Sequence, residues 1–258
     1  MTSLTRFLPR RHGRTAILLL GLSMIAACAA NDRTVSSAEI YDPNETTNRK
    51  IHALNLKIDK VVFRPVSNGY GEIVHEDARL MVSNFADHLS LPADIVNNVL
   101  QGDLKGAGAN SFRLVFNTLF GFGGIVDPSE AIHMPRRETD FGETFHVWGA
   151  GEGAYVELPL LGPSNTRDAV GTVLDFTLDP VSALLPSPEK FVGTAANVAD
   201  RMGDRYELRT TIDSILYESA DSYAQARILY LQNRRHELGV DSEDAYLDPY
   251  DDPYAEFE

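Results

Sequence analysis

The sequence predicts a mostly α-helical domain with no strand-rich region. In residues 51–62 and 74–89 the apolar side chains recur three and four positions apart, which is the period of an amphipathic helix. A further helical region covers residues 198–238 and is interrupted near Ser219. Glycine and proline are dense in residues 140–168, where we expect short extended pieces and tight turns instead of a long regular element.

The first helix should follow Asp42, whose side chain can cap it, with Pro43 in the first helical position and Glu45 bonding back to the cap. We expect this helix to end at Arg64-Pro65, because proline disfavours a helical backbone in the residue before it. Both boundaries follow from local backbone preferences.

Two more helices are expected before residue 103. One carries the apolar stripe of residues 74–89, and Pro92 should open a separate short helix after it. That short helix should end at Gln101, because Gly102 readily adopts the left-handed conformation that closes a helix. After the glycine-rich region, Thr166 is expected to begin another helix.

Residues 111–126 differ from the other helical segments because their apolar side chains surround the helix. Only Arg113 and Asn117, four positions apart, leave a narrow polar strip. The apolar run is 13 residues long, short of the about 20 that cross a bilayer. Such a helix lies either in a large protein core or at half depth in lipid, and the sequence leaves both open. The candidate lipid-facing residues are Phe112, Leu114, Val115, Phe116, Leu119, Phe120 and Phe122.

The N-terminus reads as an export signal that ends at Cys28, the only cysteine of the chain. Four arginines and no acid precede an uncharged stretch, residues 15–27, that is too short to span a bilayer. Small residues stand directly before Cys28, and the site resembles the lipobox of bacterial lipoproteins, whose cysteine is diacylated and becomes the new N-terminus. We expect Cys28 to be the lipid anchor; an ordinary signal peptide with a chance cysteine is the alternative.

The chain therefore divides into a signal peptide (1–27), a polar tether (28–41), a helical domain (42–238) and an acidic tail (239–258). The formal net charge is −14, and the last 18 residues contain eight acids and no base. An acidic chain of this kind argues against nucleic-acid binding, which needs a basic face. The tail has the composition of a disordered, solvating segment.

No motif in the sequence predicts catalysis, a metal or a cofactor. Asp140-Phe141-Gly142 matches the magnesium-binding triplet of kinases, but the other kinase segments are missing. The glycines of residues 149–153 have the wrong spacing for a dinucleotide fingerprint and are better explained by tight turns. The histidines form no metal-binding pair of the usual spacing. We expect a protein that is not an enzyme.

Short phrases spread in order over residues 42–235 resemble the VacJ/MlaA lipoproteins, the outer-membrane component of a phospholipid-transport system in Gram-negative bacteria. They include Asp42-Pro43, Asn48-Arg49, Arg64-Pro65-Val66 and late residues such as Tyr223, Arg227, Tyr230 and Arg234. The candidate channel or signature residues are Asn84, Phe85, Asn97, Asn98, Trp148, Gly149, Gly151, Tyr155, Pro159, Gly162, Arg167 and Asp168. The chain departs from the family at Thr46-Thr47, where members commonly have Gly-Phe.

The resemblance implies a single ring-like helical domain seated in the inner leaflet of the outer membrane and lipid-anchored on its periplasmic side. Phospholipids mislocalised in the outer leaflet would leave through a central amphipathic channel, which maintains lipid asymmetry. A soluble periplasmic phospholipid-binding carrier would receive them, and trimeric outer-membrane porins would hold the ring. A porin-associated structural lipoprotein that moves nothing is the alternative, and a lipid hydrolase is a third hypothesis.

Overall fold

Helices make up most of the computed structural model, which describes residues 40–181, 186 and 191–240. The helices are α1 (Glu45–Ile58), α2 (Arg64–Ile73), α3 (Glu76–Gln101), α4 (Leu104–Phe120), α5 (Pro128–Ala131), α6 (Phe141–Val147), α7 (Thr166–Leu178), α8 (Phe191–Glu207), α9 (Arg209–Asp213) and α10 (Ser222–Glu237). Two π-helical turns, π1 (Asp59–Phe63) and π2 (Ser214–Glu218), precede α2 and follow α9. The predicted mostly helical class is confirmed. Cys28, the signal peptide, nearly all of the tether and residues 241–258 lie outside the described residues.

One small antiparallel hairpin interrupts the helices. Strand β1 (Tyr155–Leu158) pairs with β2 (Gly162–Asn165), so that Tyr155 lies opposite Asn165. The predicted extended pieces of the glycine-rich region are this hairpin, although the same region also contains the short helix α6. Gly149 and Gly153 adopt φ values of 91° and 72°, which confirms that these glycines make tight turns.

The first helix differs from the prediction at both ends. Asn44 is its N-cap residue, and Asp42 instead accepts hydrogen bonds from distant side chains described below. The helix does not end at Pro65, because helical backbone continues through π1 into α2. Pro65 lies in the first turn of α2, where a missing N–H breaks no bond of that helix, and the wide turn of π1 before it changes the hydrogen-bond register.

A single helix of 26 residues, α3, replaces the two helices predicted on either side of Pro92. Proline within a helix removes one backbone bond and is unfavourable by about 3 kcal/mol. The helix nevertheless continues because it packs along its length against α4 and α8, and tertiary packing overrides the local preference. Its predicted end is confirmed: Gly102 has φ 78° and closes the helix.

The C-terminal helices agree with the predicted break near Ser219. The chain leaves π2 at Ser219, whose backbone is extended, and resumes at α10 with Asp221 as the N-cap residue. The Asp221 carboxylate accepts the N–H of Ala224 at 3.1 Å. Helix α7 begins at Thr166 as predicted, with Asn165 as its N-cap residue.

Helices α6 and α7 approach each other closely at a pair of glycines. A Cβ atom added at Gly171 would overlap the backbone N and Cα of Gly142. Because the obstructing atoms belong to the backbone, they cannot move aside as the end of a flexible side chain can. The crossing of α6 and α7 therefore requires glycine at Gly171.

We predict that Gly171→Ala destabilises the detergent-solubilised protein by about 1–3 kcal/mol in urea unfolding, because overpacking must separate two helices. Gly108→Ala in α4 is the matched control, since nothing lies within 4 Å of its added Cβ. That control should gain about 0.5–1 kcal/mol from helix propensity. Equal effects of the two substitutions would contradict the close approach at Gly171.

Candidate lipid-facing surface and its polar interior

The described residues reverse the usual distribution of polar and apolar side chains. Nineteen polar or charged residues are buried, against eight apolar ones. In water-soluble proteins arginine and aspartate are almost never fully buried unless they are paired. Here Arg113, Arg167, Arg205, Asp94 and Asp168 are all buried, so the interior depends on polar contacts.

The surface of the described residues is correspondingly apolar, because large apolar side chains are exposed on many helices. The most exposed are Ile73, Phe122, Leu104, Val61 and Phe176. Apolar residues scattered singly are normal on a protein surface, but a large contiguous apolar area marks an interface with a protein or a membrane. Among the described residues, no helix is both long and apolar enough to cross a membrane.

Helix α4 has a buried polar face and an exposed apolar face. Arg113 and Asn117, the predicted polar strip, are the buried face, and each is only 3% exposed. Five of the seven predicted lipid-facing residues are exposed, among them Leu119 at 69% and Phe122 at 80%, and the other two are half-buried. The exposed residues are Phe112, Val115, Leu119, Phe120 and Phe122; the half-buried ones are Leu114 and Phe116. Of the two alternatives left open by the sequence, the fully buried core helix is therefore wrong.

Aromatic rings make a continuous row along the exposed side of α4. The rings of Phe112 and Phe116 stack with centroids 5.1 Å apart, and those of Phe116 and Phe120 are 4.8 Å apart. Phe122, in the turn after the helix, has φ 54°. A bulky residue rarely adopts this conformation, and a strained position of this kind is unfavourable by about 1–3 kcal/mol. The fold thus holds an exposed aromatic ring in a strained turn.

The buried face of α4 is fixed by one carboxylate. Asp127 forms an ion pair with Arg113 and accepts a hydrogen bond of 2.8 Å from Asn117. Asn117 in turn accepts the Ser129 hydroxyl at 2.6 Å. The segment that follows α4 is therefore attached to the polar face of the helix, and the apolar face remains uncovered.

The signature asparagines join α3 to its neighbours. Asn98 accepts from Asn110 of α4 at 2.9 Å, and Asn97 accepts the Thr144 hydroxyl of α6 at the same distance. Asn84 donates to the carbonyl of Ile125 at 3.3 Å, while Phe85 is half-buried on the same helix. The three asparagines therefore connect α3 to α4, to α6 and to the segment after α4.

Asp168 is the most connected of the signature residues. Its carboxylate accepts the Tyr230 hydroxyl at 2.7 Å and pairs with Arg167 and Arg234 at 3.0 and 3.1 Å. Arg234 also reaches Asp140 at 2.7 Å, which joins α7, α10 and the start of α6. Hydrogen bonds and the neighbouring guanidinium groups lower the pKa of Asp168 despite its burial.

The other signature residues divide between interior and surface. Tyr155 is buried, and its hydroxyl donates to Glu157 at 2.5 Å. Trp148 is exposed, although its ring N–H donates to the carbonyl of Leu100 at 3.0 Å. Gly149, Gly151 and Pro159 are also exposed, and Gly162 is half-buried in β2. These signature positions therefore differ in burial, and their role in a channel stays a prediction.

Sequence reasoning missed a buried cluster between α1, β1 and α10. Glu157 is buried and lies 3.1 Å from His52 Nδ1, while Asn48 donates to Asp42 at 2.8 Å. Asp42 also accepts from Tyr223 and forms an ion pair with Arg227 at 2.6 Å. Apart from Asn48 and Asp42, these partners stand more than 100 residues apart in the chain, and no local pattern of a single sequence reveals such a pairing.

Several carboxyl groups have raised pKa values, and the buried Asp94 and the half-buried Asp175 are the most strongly affected. Burial raises the pKa of Asp94 to about 6 against the opposing effect of its Arg136 partner. Burial, with added repulsion from Asp140, raises the pKa of Asp175 to about 7, although the N–H of Phe141 bonds to it. Within residues 40–181, 186 and 191–240, no group of three His, Cys, Asp or Glu side chains is placed to hold a metal ion.

Comparison with known proteins identifies the family. The model of the MlaA lipoprotein family matches residues 40–237, which is most of the chain. The chain belongs to the MlaA lipoprotein family. A solved structure from work on the structural basis for maintenance of bacterial outer membrane lipid asymmetry is similar at a TM-score of 0.66 and 31% identity, and the match covers 76% of this chain and 98% of the other.

Individual relatives cover between 76% and 94% of the chain. The Intermembrane phospholipid transport system lipoprotein MlaA of Escherichia coli (strain K12) is 30% identical over 247 residues, 94% of each chain. The MlaA of Haemophilus influenzae is 27% identical and covers 83% of this chain and 86% of its own length. A protein of Rickettsia bellii is 30% identical over 76% of each chain.

We predict that Arg113→Ala lowers the unfolding free energy by about 3–5 kcal/mol, because it leaves the half-buried Asp127 carboxylate and the neighbouring polar groups without their cation. Arg49→Ala is the control, since Arg49 forms an ion pair with Asp221 at 2.9 Å that is exposed on both sides. The control should leave the urea midpoint nearly unchanged. If both variants lost a comparable unfolding free energy, burial of the Arg113–Asp127 pair would not be the cause of the loss.

The raised pKa of Asp175 predicts a pH dependence of stability. The folded protein binds more protons than the unfolded chain between about pH 4, the ordinary value, and pH 7, so stability falls as the pH rises through that window. Asp175→Asn should unfold at a higher urea concentration than the wild type at pH 8 and at a similar one at pH 4. Asp77→Asn, at an exposed carboxylate, should follow the wild type at both values.

Proposed function

We propose that this chain moves mislocalised phospholipids out of the outer leaflet of the outer membrane and passes them to a soluble periplasmic carrier. It would thereby maintain lipid asymmetry. Its relatives in the MlaA family include lipoproteins of an intermembrane phospholipid transport system. The observation that carries the proposal is the pair of faces on α4, one polar and buried, the other apolar and exposed.

The two faces of α4 suit a protein seated partly in lipid. The aromatic row on this side of α4, with Phe112 and Phe120 exposed and Phe116 half-buried between them, offers an apolar contact for acyl chains. A phospholipid also needs a polar route for its headgroup, because an unpaired polar group buried in hydrocarbon is unfavourable by several kcal/mol. A ring of helices with apolar outer faces and polar inner faces provides both environments, which supports an amphipathic channel.

Lipidation of Cys28 would hold the protein on the periplasmic side of the outer membrane. One acyl chain anchors a protein only marginally, whereas two or more hold it stably. With such an anchor no helix needs to cross the bilayer. Trimeric porins that keep the ring in position, and a periplasmic carrier that receives the lipid, complete the proposed pathway. The transfer needs no covalent chemistry and no cofactor, so we propose that the protein is not an enzyme.

The test follows labelled phospholipid from proteoliposomes, which hold the acylated protein and a porin trimer, to the soluble carrier. Intact phospholipid should appear on the carrier only when the protein is present, with its products identified by mass spectrometry. Lysophospholipid or free fatty acid would instead reveal a hydrolase. The absence of transfer, with porin association intact, would favour the structural lipoprotein.

We predict that Phe116→Asp abolishes this transfer, because a carboxylate at bilayer depth is unfavourable by up to about 3 kcal/mol. Phe116→Leu keeps an apolar side chain and should transfer lipid at nearly the wild-type rate. Intact mass should show an acylated Cys28 in both variants, which separates loss of transport from loss of the anchor. Undiminished transfer by Phe116→Asp would contradict the lipid-facing position of α4.

A further inference from the structure

Helix α1 and the turn π1 that continues it have a buried side that is polar. Asn48, His52 and Asp59 are all buried, and they stand four and seven positions apart in the chain. Residues with this spacing share one face of a helix. The side chains on the opposite face therefore point away from the protein.

The buried side fixes the rotation of α1 about its own axis. Asn48 donates to the carbonyl of Tyr155 at 3.1 Å, and Asp59 forms an ion pair with Arg205 at 3.0 Å. A rotated helix would leave these buried groups without their partners, which is unfavourable. The polar interior thus determines which residues of α1 and π1 face outward.

The outward face contains an unusual concentration of lysine. Lys50, Lys57 and Lys60 are three of the five lysines in the chain and fall within 11 consecutive residues. All three are exposed, and none has an ion pair or a hydrogen bond with a residue that the structure describes. The single acid between them, Asp59, is buried and paired on the other side. A chain whose net charge is −14 therefore presents unpaired positive charge on this face.

Apolar side chains alternate with these lysines. Leu54 and Val61 are 47% and 74% exposed, and with Lys50 and Lys57 they follow the spacing of four, three and four positions that defines one helical face. A lysine can lay its methylene stem along an apolar surface and keep its ammonium group in a polar layer. A face that combines both residue types suits the boundary between phosphate headgroups and acyl chains.

Two kinds of negative group are candidates to cover the lysines: the phosphates of anionic phospholipids and the acidic residues 241–258 of the same chain. Helix α10 runs antiparallel to α1, because Asp221 near its start pairs with Arg49, whereas Arg227 further along pairs with Asp42. The rest of α10 continues past Asp42 by about 1.5 Å per residue, away from Lys57. The acidic segment thus begins far from the lysines. A lipidated Cys28, in contrast, would hold α1, the first helix after the tether, near the bilayer.

We propose that the outward face of α1 and π1, formed by Lys50, Leu54, Lys57, Lys60 and Val61, binds the headgroup layer of a membrane that contains anionic phospholipid. The three ammonium groups contact phosphates, and the two apolar side chains contact the upper part of the acyl chains. This inference rests on the proposed function, because it requires the protein to sit at a membrane. It adds a lipid class, since the positive face concentrates anionic over zwitterionic phospholipid beside α1.

The experiment measures which lipid surrounds α1 in the full acylated protein. Ala53→Cys, at an exposed position of the same face, provides the only free thiol, and this thiol carries a fluorophore. Phosphatidylcholine vesicles hold the protein with a small fraction of phosphatidylglycerol or phosphatidylethanolamine, each with the same nitroxide quencher on an acyl chain. At low salt the phosphatidylglycerol should quench about fivefold more effectively or better, because one lysine near an anionic surface contributes about that factor. The preference should vanish at 1 M salt, where the screening length is about 3 Å.

Replacement of the lysines tests whether they cause the preference. The combined variant Lys50→Gln, Lys57→Gln and Lys60→Gln should be quenched equally by the two lipids. Lys57→Gln alone should lower the preference about two- to fivefold. Lys105→Gln, which removes an exposed lysine of α4, is the matched control and should leave the preference unchanged.

Three results would overturn the proposal. The first is equal quenching of the wild type by the two lipids, and the second is a preference that the combined variant retains. The third is a carbodiimide cross-link from Lys57 to the carboxylates of residues 241–258 in the vesicles, without any lipid preference, which would make the acidic segment the occupant.

The proteoliposome transfer assay separates this inference from the proposed function. If intact lipid reaches the carrier but α1 shows no preference for phosphatidylglycerol, only the inference about the lysines has failed. If the preference is found and the wild type transfers no lipid, the proposed function has failed and the binding face remains.

Discussion

Mutual satisfaction of buried polar groups is the constraint on which the rest of this structure depends. The apolar side chains that would form the core of a water-soluble protein are largely exposed, so hydrogen bonds and ion pairs must hold the helices together. Asp168 joins α7 to α10, Asp127 fixes the segment after α4, and Arg205 reaches Asp59 and Asp213 across π1 and α9. Asp168 and Arg205 have partners more than 60 residues away, whereas Asp127 fixes the segment that directly follows α4. A buried ion pair adds little net stability relative to apolar packing, yet removal of one partner is strongly unfavourable. The main effect of the polar interior is therefore to specify which helices contact one another. Its effect on the total stability is smaller.

This arrangement is physically consistent with lipid as the surrounding medium. Helices surrounded by hydrocarbon gain nothing from the hydrophobic effect when they meet, and packing and interhelical hydrogen bonds drive their association instead. The Asn98–Asn110 contact between α3 and α4 and the glycine contact between α6 and α7 are examples of both. The same reasoning explains why the apolar face of α4 has no covering element among the described residues: in lipid, exposure of that face is not unfavourable.

The sequence predicts what depends on local rules and misses what depends on distant partners. The apolar periods predict the helices, Gly102 predicts the end of α3, and the gap near Ser219 is found where it was expected. The two prolines give wrong helix boundaries because helical backbone passes through both. Pro65 lies in the first turn of α2, after π1, and at Pro92 packing of α3 against α4 and α8 compensates for the lost bond. At the candidate site, the sequence alone shows the polar strip of α4 and the family signature segment that contains Asp168. It does not show their roles, because Arg113 pairs with a later segment and Asp168 with residues about 60 positions further on. The family resemblance supplied the function, whereas periodicity alone left the core helix and the lipid-facing helix equally open.

The two faces of α4 also limit how the protein can sit in a membrane. Were the helix to cross the bilayer alone, Arg113 and Asn117 would lie at its hydrophobic centre, where a charged or polar group persists only with a partner. Asp127 and Ser129 supply those partners from the segment that returns over the buried face, so the polar strip is never presented to lipid. Under the proposed function, the aromatic row of Phe112, Phe116 and Phe120 would contact acyl chains on the opposite side. The helix can be immersed laterally, with one face in hydrocarbon and the other against protein, without spanning the membrane. A protein built from such helices brings a polar interior next to acyl chains, which is the arrangement that the passage of a phospholipid requires.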